Sequence, residues 1–253
     1  MVFKRLVNAA LRPLRKATVD PFARLKLEKL KLIDFACTEL GVKSFADLGG
    51  VWNVDGGYTF YALDKHMIDR AFLVDTDFNE AVSQRRMQYP QLQIIQGNFG
   101  DERVAQQIGH VGAVFFFDTL LHQVKPDWDN VLEMYALRAD CFIIYNQQFV
   151  NAVHTVRLLD LGEAEYFKNV PHRPSEEPYV ALFQKLDEIN PQHQRPWRDV
   201  HNIWQWGIVD ADLERKMRQL GFAQRYYKNC GRFGNLPNFE DHAFIFQRTE
   251  QHS

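Results

Sequence analysis

Cysteine is scarce in this sequence, with only 3 among 253 residues. Cys37, Cys141 and Cys230 lie far apart in the chain and form no Cys-x-x-Cys pair. This usage excludes a disulfide-stabilised scaffold and a cysteine-based zinc site, and it indicates a reducing compartment. We therefore predict that the protein is cytoplasmic.

Other features are also absent. The 14 glycines and 10 prolines are too few for a fibrous or low-complexity chain. No apolar run approaches the roughly 18 residues that span a bilayer, so no transmembrane segment is predicted. The formal net charge is −2, which argues against binding of nucleic acid by overall charge. We predict a small-molecule partner and no nucleic acid, while the oligomeric state is not predicted.

The beginning of the chain lacks acidic residues before Asp20. Apolar residues recur at helical spacing through residues 3–14, beside several basic ones. This basic helix could make a weak peripheral contact with an anionic membrane, or it could simply pack with a solvated basic face. A second helix is predicted at residues 22–40, capped by Gly41. Residues 1–41 are thus predicted to form an N-terminal helical segment.

From residue 42 onward, short apolar runs alternate with amphipathic stretches, which is typical of a parallel sheet covered by helices. Residues 114–117 are the most apolar run and are expected at the centre of the sheet. Seven strands are predicted, at residues 44–48, 71–74, 92–95, 113–117, 141–145, 222–227 and 243–247. Five helices are predicted around them, at residues 57–67, 77–88, 101–108, 128–138 and 210–220.

One stretch departs from this alternation of predicted strands and helices. Residues 147–209 are rich in proline, histidine and tryptophan, with helices predicted at residues 151–161 and 178–189. Because the regular order resumes afterwards, this stretch is predicted to be a substrate cap inserted into one domain, which spans residues 42–253.

The ends of the predicted strands point to a ligand. Ligands of open parallel sheets bind beyond the carboxyl ends of the strands. The first strand ends in Asp47-Leu48-Gly49-Gly50, where glycine lets the backbone approach a ligand closely. The second ends in Asp75, an acid suited to ribose hydroxyls. The third ends in Asn98-Phe99, suited to the edge and face of adenine. In this order they predict a cofactor that contains adenosine.

These segments resemble those of the class I S-adenosylmethionine-dependent methyltransferases, and the resemblance covers residues 42–247. It implies S-adenosylmethionine as the cofactor and a three-layer α/β/α Rossmann-like fold, with seven mostly parallel strands and the last one antiparallel. The matching segments are Ala46-Asp47-Leu48-Gly49-Gly50, Leu73-Val74-Asp75, Gln96-Gly97-Asn98-Phe99 and Asp118-Thr119-Leu120-Leu121-His122-Gln123-Val124.

Two positions depart from the family pattern. Val51 stands where the family has its second glycine, which leaves the geometry of the loop open. Asn98 replaces the usual acid of the adenine loop, although an amide oxygen can still accept a hydrogen bond from the adenine amino group.

The resemblance also implies roles for individual residues. Those expected to bind the cofactor are Asp47, Gly49, Gly50, Trp52, Asp75, Thr76, Asn98, Phe99 and Asp118. His122 is the first candidate for a catalytic base, because it follows the fourth strand and its ordinary pKa is near 6.5. Tyr145 and Asp118 are further catalytic candidates. Alternatively, His122 only shapes the pocket wall and Tyr145 only caps a buried strand.

The inserted cap is expected to bind the acceptor. Polar and aromatic side chains suit a sugar ring or an aromatic alcohol, and the candidates are Asn146, His201, Trp204 and Trp206. Alternatively, the tryptophans only pack the cap onto the sheet. Asp118 and Asn146 supply few oxygen ligands for Mg²⁺, and the histidine spacings fit no zinc pattern, so no metal is predicted.

We therefore predict an S-adenosylmethionine-dependent methyltransferase that methylates oxygen on a small molecule or glycan in secondary metabolism. One alternative is another enzyme that uses the same cofactor, for example for its intramolecular cyclisation. A second is a catalytically silent protein that binds the cofactor or a partner. A dinucleotide dehydrogenase is disfavoured, because the segment from Gly49 to Asn53 does not supply G-x-G-x-x-G.

Overall fold

A seven-stranded sheet forms the centre of the computed structural model, which describes residues 22–249. Across the sheet the strands lie in the order β6, β7, β5, β4, β1, β2, β3, and β7 runs antiparallel to both neighbours. The predicted mostly parallel sheet with an antiparallel last strand is therefore confirmed. The strands are β1 (Ser44–Leu48), β2 (Arg70–Asp75), β3 (Leu92–Gln96), β4 (Val111–Phe117), β5 (Ala139–Phe149), β6 (Phe222–Arg232) and β7 (Phe239–Arg248).

Helices cover both faces of the sheet, as the core residues that they contribute show. α1 and α2 pack on one face with α3, and α4, α5 and α7 pack on the other. Within residues 22–249, no helix is long and apolar enough to cross a membrane. The helices are α1 (Leu27–Thr38), α2 (Gly57–Lys65), α3 (Glu80–Arg86), α4 (Glu102–Ile108), α5 (Trp128–Ala136), α6 (Glu163–Tyr166) and α7 (Asp210–Gln219).

The central strand is β4, as its composition predicts. Phe115 and Phe117 belong to the core on the α1 side, whereas Val114 and Phe116 belong to the core on the α5 side. Phe115 stacks on Phe45 of β1, with ring centroids 4.6 Å apart. Since successive side chains of a strand point to opposite faces, burial of both faces requires an unbroken apolar run.

The N-terminal prediction is only partly matched. The basic helix expected at residues 3–14 lies outside the described residues. α1 begins at Leu27 rather than at residue 22, because the backbone N–H of Lys26 donates to the hydroxyl of Tyr58 at 3.0 Å. Gly41 follows the helix with a φ of +66°, a conformation that favours glycine.

Strand β5 continues to Phe149, beyond the predicted end at residue 145. The extension is stabilised by pairing with β7, which places Phe239 opposite Phe149. Consequently the segment between β5 and α7, here called the inserted segment, comprises residues 150–209.

Both helices predicted within the inserted segment are wrong. Val156–Arg157 pairs instead with Trp206–Gly207 as a short antiparallel ladder, so long-range pairing overrides the local helical spacing. In the second region Ala181 has a φ of +52°, which interrupts any helix, and only a 3₁₀ turn at Leu182–Gln184 remains.

The inserted segment lies against the carboxyl edge of the sheet. The backbone N–H of Phe149 donates to the Ile208 carbonyl at 2.7 Å. The indole N–H of Trp206 donates to the Gln123 carbonyl, also at 2.7 Å, just beyond β4. These contacts place the inserted segment over the ends of β4 and β5.

A buried histidine joins β7 to the beginning of α7. His242 Nδ1 lies 2.8 Å from Asp210 Oδ2, and His242 Nε2 lies 3.4 Å from Glu240 Oε2. Burial lowers the pKa of His242, but the hydrogen bonds and charges of Asp210 and Glu240 outweigh burial and raise it above 6.5.

This arrangement predicts a pH-dependent contribution to stability. The protonated His242 stabilises the fold fully below its unfolded pKa, and this contribution is lost as the pH rises through the raised folded pKa. We expect His242→Gln to lower the free energy of unfolding by about 1–3 kcal/mol at pH 5.5 and by less at pH 9. Urea titrations measure this difference, with His193→Gln as an exposed control. An equal loss at both pH values would contradict the prediction.

Candidate functional site

The loop after β1 is the first part of the carboxyl edge. Gly49 has a φ of +79°, and its N–H donates to the Val74 carbonyl at 2.8 Å, which ties the loop to β2. A Cβ at Gly49 would lie 2.7 Å from Thr119 Cγ2. Glycine is therefore needed both for the backbone conformation and for the close approach of the segment after β4.

Asp75 fixes the rest of this loop. Its Oδ2 accepts the backbone N–H of Val51 at 2.9 Å, and its Oδ1 accepts that of Thr76 at 2.8 Å. Val51, which stands where the resemblance expects glycine, is thus accommodated, with its side chain buried and its N–H anchored to β2. Trp52, the next residue, is 79% exposed.

Asp47 is a buried carboxyl group at the end of β1. Thr59 Oγ1 donates to its Oδ2 at 2.7 Å, whereas its Oδ1 has no hydrogen-bond partner among residues 22–249. A Cβ at Gly50 would lie 2.4 Å from Asp47 Oδ2. Burial raises the pKa of Asp47 to about 6; the Thr59 hydrogen bond opposes this effect, and the charge of Asp75 adds to it. The free oxygen can accept an N–H donor from a ligand.

The loop after β3 is joined to the inserted segment. Asn98 Oδ1 accepts the N–H of Gly100 at 2.7 Å, and Asn98 Nδ2 lies 2.7 Å from His201 Nε2. Phe99 packs edge-on against Phe116, with ring centroids 5.9 Å apart. The structure therefore brings together a predicted adenine-binding residue and a predicted acceptor-binding residue.

The protonation of His201 follows from its partners. Arg195 Nη1 lies 2.9 Å from His201 Nε2, and arginine can only donate. Nε2 is therefore the acceptor, and the ring is neutral with its proton on Nδ1. Burial, followed by the charge of Arg195, lowers the pKa of His201 to about 4, in agreement with this assignment.

Asp118 directly follows β4 and has a φ of +61°. Gln147 Nε2 donates to Asp118 Oδ1 at 2.7 Å and to Asp241 Oδ1 at 2.9 Å. Lys29 forms an ion pair with the other oxygen of Asp118, and Lys26 Nζ lies 2.8 Å from Asp241 Oδ2. These five residues form one continuous polar chain across the ends of β4, β5 and β7.

Aromatic rings surround the ammonium group of Lys29. Its Nζ lies 5.1 Å from the ring centroid of Tyr58, 5.5 Å from that of Phe117 and 5.0 Å from that of Tyr145. Tyr145, a predicted catalytic residue, therefore presents a ring face to a cation. Burial raises the pKa of Tyr145 strongly, so its hydroxyl stays protonated at neutral pH.

Sequence reasoning missed Lys26, Lys29 and Gln147. A signal for Lys29 was present, because it falls on the apolar stripe of α1 with Leu32, Ile33 and Ala36. A lysine at such a position is rarely buried unless it is paired. No signal identified its partner.

His122 lies in the 3₁₀ turn Leu120–His122, and its side chain is half-buried. Its Nδ1 lies 3.1 Å from the Ile203 carbonyl oxygen. Because a carbonyl only accepts, Nδ1 carries the proton in the neutral ring and the Nε2 lone pair is directed away from that contact. Burial lowers the pKa of His122, while the Ile203 hydrogen bond and the charge of Asp118 oppose this effect.

The remaining predicted residues differ in their surroundings. Trp204 is buried against Phe239, with ring centroids 5.3 Å apart, and so contributes to packing of the inserted segment. Asn146 is buried and its Oδ1 has no hydrogen-bond partner among the described residues. Within residues 22–249, no group of three or more His, Cys, Asp or Glu side chains is arranged to hold a metal ion.

Comparisons with known proteins give fold similarity only. No protein-family model matches the chain, and no curated protein sequence matches it. A 1,6-didemethyltoxoflavin N1-methyltransferase from Burkholderia thailandensis, solved with S-adenosylhomocysteine, is 12% identical with a TM-score of 0.53, over 88% of this chain and 79% of that one.

Two further solved structures are similar. An O-methyltransferase family protein from Burkholderia thailandensis is 12% identical with a TM-score of 0.55, over 91% of this chain but only 58% of that one. The magnesium protoporphyrin IX methyltransferase of Synechocystis PCC 6803, solved with S-adenosylhomocysteine, is 11% identical with a TM-score of 0.50, over 88% of this chain and 84% of that one. The chain has the class I methyltransferase fold. The fold expected from the sequence is thus confirmed.

The buried carboxyl group of this methyltransferase fold yields a prediction. Because the folded pKa of Asp47 is raised from 3.8 to about 6, the protonated form stabilises the fold at low pH, and this contribution is lost as the pH rises through about 6. Asp47→Asn keeps an acceptor for Thr59 and removes the buried charge. We expect the variant to exceed the wild type in free energy of unfolding by roughly 1–3 kcal/mol at pH 8, and by less at pH 4.5.

Urea titrations without added ligand measure this difference. Asp69→Asn, at an exposed acid, serves as the control and should change little. A lower free energy of unfolding for Asp47→Asn than for the wild type at pH 8 would contradict the prediction, because the buried charge would then not destabilise the fold.

Proposed function

We propose that the protein is an S-adenosylmethionine-dependent methyltransferase that methylates a hydroxyl group of a small molecule or glycan. The observation that carries this proposal is the loop after β1, where glycine packing and the Asp75 brace leave one oxygen of the buried Asp47 without a hydrogen-bond partner in residues 22–249. Two of the similar structures contain S-adenosylhomocysteine, the product of that cofactor.

The residues present fit such a cofactor. The free Oδ1 of Asp47 suits an amino group, and Asp75 keeps lone pairs for ribose hydroxyls beyond its two backbone contacts. Asn98 and Phe99 offer an amide edge and an aromatic face for adenine. Gly49, Gly50, Trp52, Thr76 and Asp118 complete the proposed cofactor set.

The cofactor would supply a methyl group already activated by a positively charged sulfur. The protein then has to align the acceptor and exclude water, for which the inserted segment lies over the ends of β4 and β5. Within that site, His122 Nε2 would accept the proton that the acceptor hydroxyl loses on methylation. Lys29 and Gln147 each contact one carboxylate oxygen of Asp118, which fixes this carboxylate at the end of β4.

The acceptor is proposed to lie between the end of β5 and the inserted segment. Asn146 contributes a buried oxygen that has no hydrogen-bond partner within residues 22–249, and His201 and Trp206 contribute polar and aromatic surface, while Trp204 supports them from the packed interior of the segment. The neutral His122 favours oxygen as the methylated atom, since a hydroxyl must lose a proton during transfer. The three free cysteines support a reducing, cytoplasmic location.

Cofactor binding tests the first part of the proposal. A Cβ at Gly50 would overlap Asp47, so we expect Gly50→Ala to weaken binding of S-adenosylhomocysteine by roughly tenfold or more. Isothermal titration calorimetry measures the affinity. Gly41→Ala is the control for backbone strain away from the loop: its φ of +66° disfavours alanine, but its Cβ would have no neighbour within 4 Å, so the variant should lose stability and keep its affinity. Stabilisation by NAD but not by S-adenosylhomocysteine would refute the proposal.

Turnover tests the second part. S-adenosylmethionine incubated with a panel of sugars and aromatic alcohols should give a methylated product in mass spectrometry. Loss of the cofactor without an acceptor would instead indicate cyclisation, and binding without turnover would indicate a silent binding protein. Either result would overturn methyl transfer.

The role of His122 makes a separate prediction. We expect His122→Ala to lower kcat by about 10²- to 10⁴-fold with little change in affinity for S-adenosylhomocysteine. Because burial lowers the pKa of His122, activity of the wild type should be level above pH 6.5 and fall only in more acidic solution. Retention of more than about a tenth of turnover would assign His122 to the pocket wall.

A further inference from the structure

Lys29 is a buried cation whose only part in the proposed function is to hold Asp118, a part that does not use the effect of its charge on the site. Its side chain is 6% exposed, whereas that of its partner Asp118 is 40% exposed. The lysine is therefore enclosed by protein, whereas the carboxylate remains partly accessible. Gln147 holds the second carboxylate oxygen, so both oxygens of Asp118 are fixed in place.

This ion pair adjoins the proposed cofactor site. Asp118 is followed by Thr119, whose Cγ2 would lie 2.7 Å from a Cβ at Gly49. Lys29 and Asp75 also act on Asp47, because the first charge lowers its pKa and the second raises it. Asp47, Asp75 and Asp118 thus lie at the carboxyl ends of β1, β2 and β4. The positive charge of the buried Lys29 offsets part of their negative charge.

We propose that Lys29 is a positioning residue that fixes Asp118 and offsets its charge, and thereby sets the preference of the site between S-adenosylmethionine and S-adenosylhomocysteine. This inference rests on the proposed function. The two ligands differ by one methyl group and by the positive charge on sulfur. A carboxylate without its lysine attracts the charged ligand more strongly and leaves attraction to the neutral sulfur unchanged.

Such a preference matters for turnover. Methyl transfer removes the positive charge from sulfur, so an unpaired carboxylate would stabilise the bound cofactor more than the transition state. Pairing with Lys29 reduces this ground-state stabilisation while keeping Asp118 in place. A lysine that instead bound the amino-acid carboxylate of the cofactor would affect both ligands equally, because both carry that group.

The test is the ratio of the dissociation constants for S-adenosylhomocysteine and S-adenosylmethionine, measured by calorimetry at low salt. We expect Lys29→Met to shift this ratio toward S-adenosylmethionine by roughly 3- to 10-fold, and Lys29→Arg to leave it near the wild-type value. Lys31→Met is the matched control, because Lys31 lies on the same helix, is exposed and pairs with Glu28 three residues before it.

A compensating variant separates charge from structure. Asp118→Asn added to Lys29→Met removes the unpaired carboxylate, so the ratio should return to within about twofold of the wild-type value. Thermal melts identify any variant that fails to fold. If one does, Asp118→Asn alone gives the second measurement. In that variant the ratio of dissociation constants should shift toward S-adenosylhomocysteine.

The outcomes are distinguishable from failure of the proposed function. Absence of binding of either ligand to the wild type would overturn the proposed function itself. Binding with an unchanged ratio in Lys29→Met, or an equal loss of affinity for both ligands, would overturn only the role of Lys29.

Discussion

Burial of β4 on both faces is the constraint on which the rest of the structure depends. Its phenylalanines pack alternately into the two cores, so the strand has no freedom to shift or rotate. The residues that follow β4 are therefore held in one place. Asp118 turns toward α1, Thr119 meets the glycine loop, and His122 reaches the inserted segment.

Local patterns were sufficient to predict the sheet. Apolar runs, glycines and strand-end acids are encoded within a few residues of one another, and the structure places Asp47, Gly49 and Asp75 at one edge as expected. The helices predicted inside the inserted segment failed for the opposite reason. There, Val156–Arg157 and Trp206–Gly207 pair across the whole segment, and helical spacing has less influence than that pairing.

The continuous polar chain at the site could not be predicted from the sequence, because its members are far apart along the chain. Lys26 and Asp241 are separated by 215 residues and Lys29 and Asp118 by 89, so neither pair has a local signature. Gln147 is the first residue of the predicted inserted cap, yet it belongs to β5 and bridges two acids. The position of Lys29 on the apolar stripe of α1 is unusual for a lysine, but only the fold supplies its partner.

The contacts of residues 201 and 203 have a consequence for protein engineering. His201 contacts the loop after β3, and two residues later the Ile203 carbonyl orients His122. One short stretch of the inserted segment therefore touches both the proposed adenine loop and the proposed base. The segment is not an independent module that can be exchanged to change acceptor choice. A chimera that imports a different one has to import matching residues at positions 98 and 122, since otherwise both contacts would be lost together.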